Sequence, residues 1–450
     1  MGRPRTRAPA AEARFVRWSG GCFTASAQSS GPVGINPASC EFEVRLLEQR
    51  GQTMIGRTVL SVGAALLLVG CAQETRKPDS RELDTLLRAA VEDRQVPAVV
   101  AMLATTDEVT YQQAVGVPMD AIFAIASMTK PVTSVAVMQL VEAGKVQLDE
   151  PVDTYLPDLR AVQVLENGVR RPSKARPTVR HLLSHTSGFA YEFLNREVAD
   201  HVRSGNVVSV FTGTDEFLRA PLVAEPGARW EYGISTDWLG KLVETVTGQS
   251  LDTYFRSNIF EPLGMTETFF NVPGDKEDRV APQYARQPDG SLAPMPRAPL
   301  KPVTFYSGGG GLYSTAADYL RFTRALLAGG QLDGHRILRP ETVAMMAENQ
   351  IGKMTLPPIT TQNPQFVSVN TVLPGGPDAF GLGFALNRMP LASGRGALAM
   401  SWTGVFNTFF WVDRERDVCA VLLVQMLPFG DPGPTKLVED FDRAVYQAYR

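Results

Sequence analysis

Strand-like runs stand at both ends of this chain, with helical ones between them, and that order limits what the chain can become. Ala98 to Ala104 and Val109 to Val115 read as two strands joined at Thr105-Thr106-Asp107. From about Phe380 the strand signal returns in GLGFAL, SWTGVFNTFFWVD and DVCAVLLVQM. From about Val146 to Phe322, short helical patterns such as VDTYLPDL, VRHLLSH, TDWLGKLVETVTG and AADYLRFTRALLAGG alternate with Pro- and Gly-rich loops. A sheet completed by both ends, with a mostly helical lobe inserted, satisfies this order. Ser80 to Val91 reads as an amphipathic helix with Ser80 as N-cap, and Val438 to Tyr449 as a closing helix. Val132 to Val141 is apolar at helical spacing and stops at Gly144, so it reads as a buried helix.

Composition narrows the function. The chain has 450 residues and a formal net charge of -3, so there is no basic excess to neutralise nucleic-acid phosphates. The four cysteines, Cys22, Cys40, Cys71 and Cys419, show no metal-ligand spacing. His181 and His185 stand four apart, but no Glu completes an H-E-x-x-H pattern, and capping or packing explains both imidazoles. The sequence points to no metal and no organic cofactor. Cys419, inside an apolar run, reads as a small core residue.

Residues 1–53 are rich in Arg, Ala, Gly and Ser and read as disordered, or as sequence upstream of the true start. Residues 54–71 read as a lipoprotein-type signal peptide: Arg57 gives the positive region and Thr58 to Val69 an apolar stretch too short to span a bilayer. Its ending, Leu68-Val69-Gly70-Cys71, resembles a bacterial lipobox, in which the Cys is lipidated. Residues 72–80 would then be a tether, and residues 81–450 the catalytic domain. This reading puts the protein in the bacterial cell envelope, exported and held to the membrane surface through Cys71. The oligomeric state is not legible.

Ser127-Met128-Thr129-Lys130 carries the chemistry. At a spacing of three on a helix, hydroxyl and amine share a face. A Ser hydroxyl needs a base, and a desolvated Lys can be one. Tyr232 can act as a second proton carrier. Trp402-Thr403-Gly404 opens a strand, where Gly404 permits close approach of a ligand and backbone N–H groups can bind an oxyanion. Each of these has a plain structural alternative: a chance spacing, a half-buried Tyr, a strand that starts with a core Trp.

Five segments in order (FAIASMTK, LLSHTSG, PGARWEYGIS, SGGGGLYSTAADYLRF and SWTGVFNTFFWVD) resemble the landmarks of the β-lactamase-related serine hydrolases, from about residue 82 to the C-terminus. That group includes class C β-lactamases, D-alanyl-D-alanine carboxypeptidases and family VIII carboxylesterases. The resemblance implies an α/β fold of the β-lactamase/transpeptidase kind: an antiparallel sheet flanked by helices, with an inserted all-helical lobe. It implies Ser127 as acylated nucleophile, Lys130 as its base partner, Tyr232 as proton carrier, and the N–H groups of Ser127 and Val405 as oxyanion hole. Two departures matter. Trp402 stands where these enzymes often carry a Lys or His that meets a substrate carboxylate. Ile234 stands where an Asn often binds a substrate amide. Both favour a carboxylesterase acting on small uncharged esters over a β-lactamase or cell-wall peptidase acting on amides. An alternative of another class is a catalytically silent, lipid-anchored binding or sensor protein on the same fold. A Ser-His-Asp hydrolase built on His185 lacks a G-x-S-x-G elbow.

Overall fold

Leu83, Leu87 and Ala90 recur at helical spacing and are buried, which makes Ser80–Glu92 a one-sided helix, α1. The computed structural model describes residues 78–296 and 300–447. Asp79, not Ser80, caps α1: its carboxylate accepts from the Arg81 N–H at 2.9 Å. The elements that matter for the site then follow in chain order. Strands β1 (Val99–Ala104) and β2 (Val109–Val115) precede α2 (Thr129–Glu142), α3 (Val179–Leu183), α4 (Ser235–Thr247) and α5 (Ala316–Leu327). Strands β3 (Ala379–Phe380), β4 (Ala385–Leu386), β5 (Met400–Gly404), β6 (Thr408–Asp413) and β7 (Val418–Leu423) come next, and α6 (Pro432–Gln447) closes the fold.

The seven strands form one antiparallel sheet in the order β3-β4-β5-β6-β7-β1-β2. The two ends of the chain meet where β1 pairs with β7, from Val100 opposite Leu423 to Ala104 opposite Cys419. Every residue of β6 and β7 is buried. Helices cover both faces, so neighbouring residues on β6 point into different layers. Phe410 meets Tyr319 of α5 at 5.2 Å, and Trp411 meets Phe441 of α6 at 6.2 Å. That is why these strands read as continuous apolar runs without polar alternation. Each such side chain contributes about 1.5–3 kcal/mol by leaving water. Cys419 lies fully in this core, and burial pushes its thiol up to about 12.

Helix α2 has no polar face because it is covered on nearly all sides, with eleven of its fourteen residues buried. Pro131 sits in its first turn, where a missing N–H costs nothing. Its end is a Schellman motif. The Gly144 N–H reaches the Val141 carbonyl at 3.0 Å and the Lys145 N–H reaches that of Leu140 at 2.9 Å, with Gly144 at φ 67°.

Three further expectations need correction. The inserted lobe is mainly helical but holds a hairpin of Gln163–Glu166 and Val169–Pro172. Helix α5 packs on the sheet and is not part of that lobe. The last helix starts at Pro432, six residues earlier than its apolar pattern suggested, because Pro432 to Lys436 form a first turn with little periodicity. The readings for residues 1–53, for the signal-type stretch 54–71 with Cys71, and for most of the tether lie outside the described residues.

Candidate active site

The nucleophile turn is set by a strained residue. Phe123–Ala124 pairs with Tyr313–Ser314, and the chain then turns at Ala126, whose φ of 45° is left-handed. Ala126–Met128 makes one 3₁₀ turn before α2 begins at Thr129. Ser127 is therefore not on the same α-helix as Lys130; it precedes that helix. The spacing of three still works, because residues i and i+3 eclipse in a 3₁₀ turn. The turn is pinned on several sides. The Tyr319 hydroxyl donates to the Met128 carbonyl at 2.8 Å, the Leu312 N–H donates to Thr129 Oγ1 at 3.1 Å, and Thr133 Oγ1 donates to the Gly308 carbonyl at 2.7 Å.

Lys130 is 2% exposed. Its Nζ donates to Ser127 Oγ at 3.1 Å, to the Tyr191 hydroxyl at 3.0 Å and to the Gly309 carbonyl at 2.6 Å. The rings of Tyr232 and Tyr191 lie 4.8 and 5.1 Å from Nζ, within cation–π range. The Tyr232 hydroxyl donates to Ser127 Oγ at 2.8 Å. Ser127 Oγ is thus held between an amine and a phenol, both within proton-transfer reach. The three residues singled out in the sequence converge on one atom.

Aromatic packing fixes Tyr232. Trp230 lies parallel to its ring at 6.0 Å, while Trp402, His185 and Tyr191 meet it edge-on at 5.1, 5.0 and 5.3 Å. His185 is buried just past the end of α3, and its Nδ1 has no partner among the described residues. Burial, and secondarily Lys130, hold its imidazole well below the usual range, so it is neutral. It packs against Tyr232 and is not the base of a Ser-His-Asp triad. His181 forms a capping box with Thr178, its Nδ1 accepting from the Thr178 N–H at 3.2 Å. Capping and packing account for both imidazoles.

Strand β5 borders the nucleophile turn. A Cβ on Gly404 would fall far inside van der Waals contact with the Ile125 carbonyl and with Thr408 Oγ1, so only glycine lets the two backbones come this close. Trp402, Thr403 and Val405 line one pocket with Ser127 and Tyr232, closed by Phe193, Leu194, Ile359, Val367, Leu373 and Phe429. None of these lining side chains is charged. Trp402 is buried against Phe380, whose ring lies 5.4 Å away, and Ile234 is buried at the start of α4. Trp402 offers no cation for a carboxylate, and Ile234 offers no polar group for an amide. A separate cleft of about 830 Å³ is lined in part by Ala126, Gly310 and Phe406, the first and last next in sequence to Ser127 and Val405.

Sequence reasoning missed Tyr191 and Asp237. Tyr191 lies three residues beyond the LLSHTSG segment, and Asp237 lies inside a stretch that reads as an ordinary helix. Cys71 lies outside the described residues. Among the described residues, no group of three or more His, Cys, Asp or Glu side chains is placed to hold a metal ion.

Known proteins resemble this chain over most of its length. Monacolin J acid methylbutanoyltransferase of Aspergillus terreus is 31% identical over 82% of this chain and 96% of its own length. Esterase EstB of Burkholderia gladioli is 32% identical over 78% of this chain and 92% of its own. The solved structure of unliganded simvastatin synthase (LovD) from Aspergillus terreus, as its selenomethionyl derivative, superposes with a TM-score of 0.71 at 29% identity, covering 82% of this chain and 98% of that one. The model of the family described as Beta-lactamase matches residues 83–443, a span that takes in Ser127, Lys130, Tyr232 and the β5 strand. The chain belongs to the Beta-lactamase family, a family of serine hydrolases and acyltransferases.

Proposed function

We propose that this protein transfers a small uncharged acyl group from an ester, through an acyl-enzyme on Ser127, to an alcohol or to water. One observation carries the reading: Ser127 Oγ sits between Lys130 Nζ and the Tyr232 hydroxyl and lines an apolar pocket. Ser127 Oγ attacks the ester carbonyl and its proton passes to the Lys130–Tyr232 pair. The backbone N–H groups of Ser127 and Val405 stabilise the oxyanion. Tyr232 returns the proton to the departing alkoxide. A second alcohol, or water, then reverses the sequence and frees Ser127.

The uncharged pocket supports an apolar acyl group, and the cleft at Ala126, Gly310 and Phe406 supports an acceptor larger than water. The names of two relatives, a methylbutanoyltransferase and an esterase, support both fates of the acyl-enzyme. A carboxylesterase is the branch in which water is the acceptor. The absence of a charged side chain among the pocket residues speaks against a carboxylate-bearing β-lactam. The test is incubation with p-nitrophenyl butyrate, with and without a bulky alcohol, followed by mass spectrometry. A butyryl adduct on Ser127 that yields the butyrate ester of the added alcohol is expected. Turnover of nitrocefin faster than of the ester, or an adduct on another residue, would overturn the reading.

The stretch Met54 to Cys71 motivates a second, separable proposal: lipidation of Cys71 holds the enzyme at the outer side of a bacterial membrane. Among the described residues, no helix is long and apolar enough to cross a membrane. In a bacterial host fed radiolabelled palmitate, the full chain should take up label and sediment with membranes, and Cys71→Ala should do neither. Equal sedimentation of the two forms would reject the anchor.

A further inference from the structure

Behind Lys130 the hydrogen bonds close into a ring. Lys130 Nζ donates to the Tyr191 hydroxyl at 3.0 Å, and that hydroxyl donates to Asp237 Oδ2 at 3.4 Å. Asp237 Oδ1 accepts from the Gly309 N–H at 3.0 Å and from the Ser307 hydroxyl at 2.6 Å. The Gly309 carbonyl accepts from Lys130 Nζ at 2.6 Å, which returns the path to its start. Asp237 is 1% exposed, on the first turn of α4. A Cβ on Gly309 would collide with its carboxylate, so this turn too requires glycine. Burial raises the Asp237 carboxyl from its usual value, while Lys130, Ser307, Gly309 and Tyr191 pull it the other way. Burial also holds the Tyr191 phenol well above its usual value, so it keeps its proton to donate. Among the described residues, the polar and ionisable groups facing Lys130 are Ser127, Tyr191, Tyr232, the Gly309 carbonyl and, through Tyr191, Asp237; neutral His185 lies beyond the Tyr232 ring.

We propose that Tyr191 and Asp237 are positioning residues that aim the Lys130 amine at Ser127. The ring gives the reason. A neutral amine has two N–H bonds and one lone pair. Of the three groups that accept from Lys130 Nζ, Tyr191 and the Gly309 carbonyl each keep one N–H when Lys130 is the neutral base, so the position that donates to Ser127 Oγ in the ammonium form becomes the lone pair that takes the Ser127 proton. Asp237 sets both arms at once, because one oxygen holds the Tyr191 hydroxyl and the other holds the Gly309 amide. A buried carboxylate that satisfied only the Gly309 turn would have no need of Tyr191. This role rests on the acyl-enzyme reading above and extends it to two residues that never touch the substrate.

The test compares wild type, Tyr191→Phe, Asp237→Asn and the double variant for acylation of Ser127 by a fluorophosphonate and for kcat and KM with p-nitrophenyl butyrate. Tyr191→Phe keeps the ring contacts with Phe193 at 4.8 Å and Tyr232 at 5.3 Å, so it should fold. Acylation should slow about ten- to a hundredfold, the weight of one hydrogen bond to a charged group, with KM unchanged. The double variant should be no slower than the slower single, since both residues act through one ring. Should Asp237→Asn fail to fold, Tyr191→Phe decides alone. A labelled wild type with normal acylation in Tyr191→Phe, or a loss that falls on KM and not on kcat, overturns the positioning role. A wild type that takes no label at Ser127 overturns the acyl-enzyme reading and this role with it.

Discussion

Ser127→Ala is expected to lower ester turnover by about four to six orders of magnitude and to abolish labelling, while the thermal midpoint stays near that of wild type. The side chain removed is one hydroxyl at the mouth of a pocket, and its loss leaves the 3₁₀ turn and its anchors through Met128 and Thr129 intact. Lys130→Ala should cost about three to four orders of magnitude, because Ser127 keeps the Tyr232 contact but loses the amine. It should also destabilise the protein, since a nearly fully buried side chain disappears and the Gly309 carbonyl loses its donor. The Ser127→Ala/Lys130→Ala double variant should be no less active than Ser127→Ala. Members of one catalytic unit are not additive: once the nucleophile is gone, its base has no proton to take. Turnover within tenfold of wild type in either single variant would remove that residue from the mechanism.

What the sequence could reveal about this site depended on how far apart the partners lie. Ser127 and Lys130 are three residues apart, so one spacing rule found both. The Lys130–Tyr191 bond spans 61 residues and the Asp237–Gly309 bond 72, and no local pattern encodes such contacts. Tyr232 could be told from an ordinary half-buried Tyr only through a family resemblance. The left-handed Ala126 was silent for another reason: nothing but Gly or Asn advertises a positive φ, and an Ala held there is paid for by the packing around it.

The fold shows the same division. The β1–β2 hairpin was legible from its turn and its apolar strands, and β2 falls where the pattern put it. Helix α5 was legible as a helix but not in its layer. An amphipathic period says which face is buried, not whether a sheet or another helix covers it. The hairpin at Gln163–Glu166 was hidden because only Val164 and Leu165 of that strand are buried, too few for a period to register.

Gly404→Ala is expected to separate the two halves of the site. Gly404 ends β5 at a tight turn, where the Asn407 N–H returns to the Gly404 carbonyl at 3.0 Å, and it pairs with Thr408 across the hairpin. A methyl group there meets two obstacles, Thr408 Oγ1 and the carbonyl of Ile125. The Thr hydroxyl can rotate. The Ile125 carbonyl cannot, because it belongs to the backbone that turns at Ala126 into the nucleophile. The strand and the turn must therefore move apart, at a cost of about 1–3 kcal/mol in stability. The Val405 N–H moves with the strand, away from the oxygen it serves in the proposed mechanism. Loss of one oxyanion donor lowers the rate about a hundred- to a thousandfold. The expected result is thus a folded protein with kcat down by about that factor and Ser127 still labelled slowly by a fluorophosphonate. Adding Thr408→Ala should not restore the rate, because the carbonyl remains in the way. If it does restore it, the hydroxyl was the only obstacle and β5 tolerates a side chain at this position. If Gly404→Ala alone turns over like wild type, the close approach of β5 to the nucleophile serves packing, and the oxyanion must be held elsewhere.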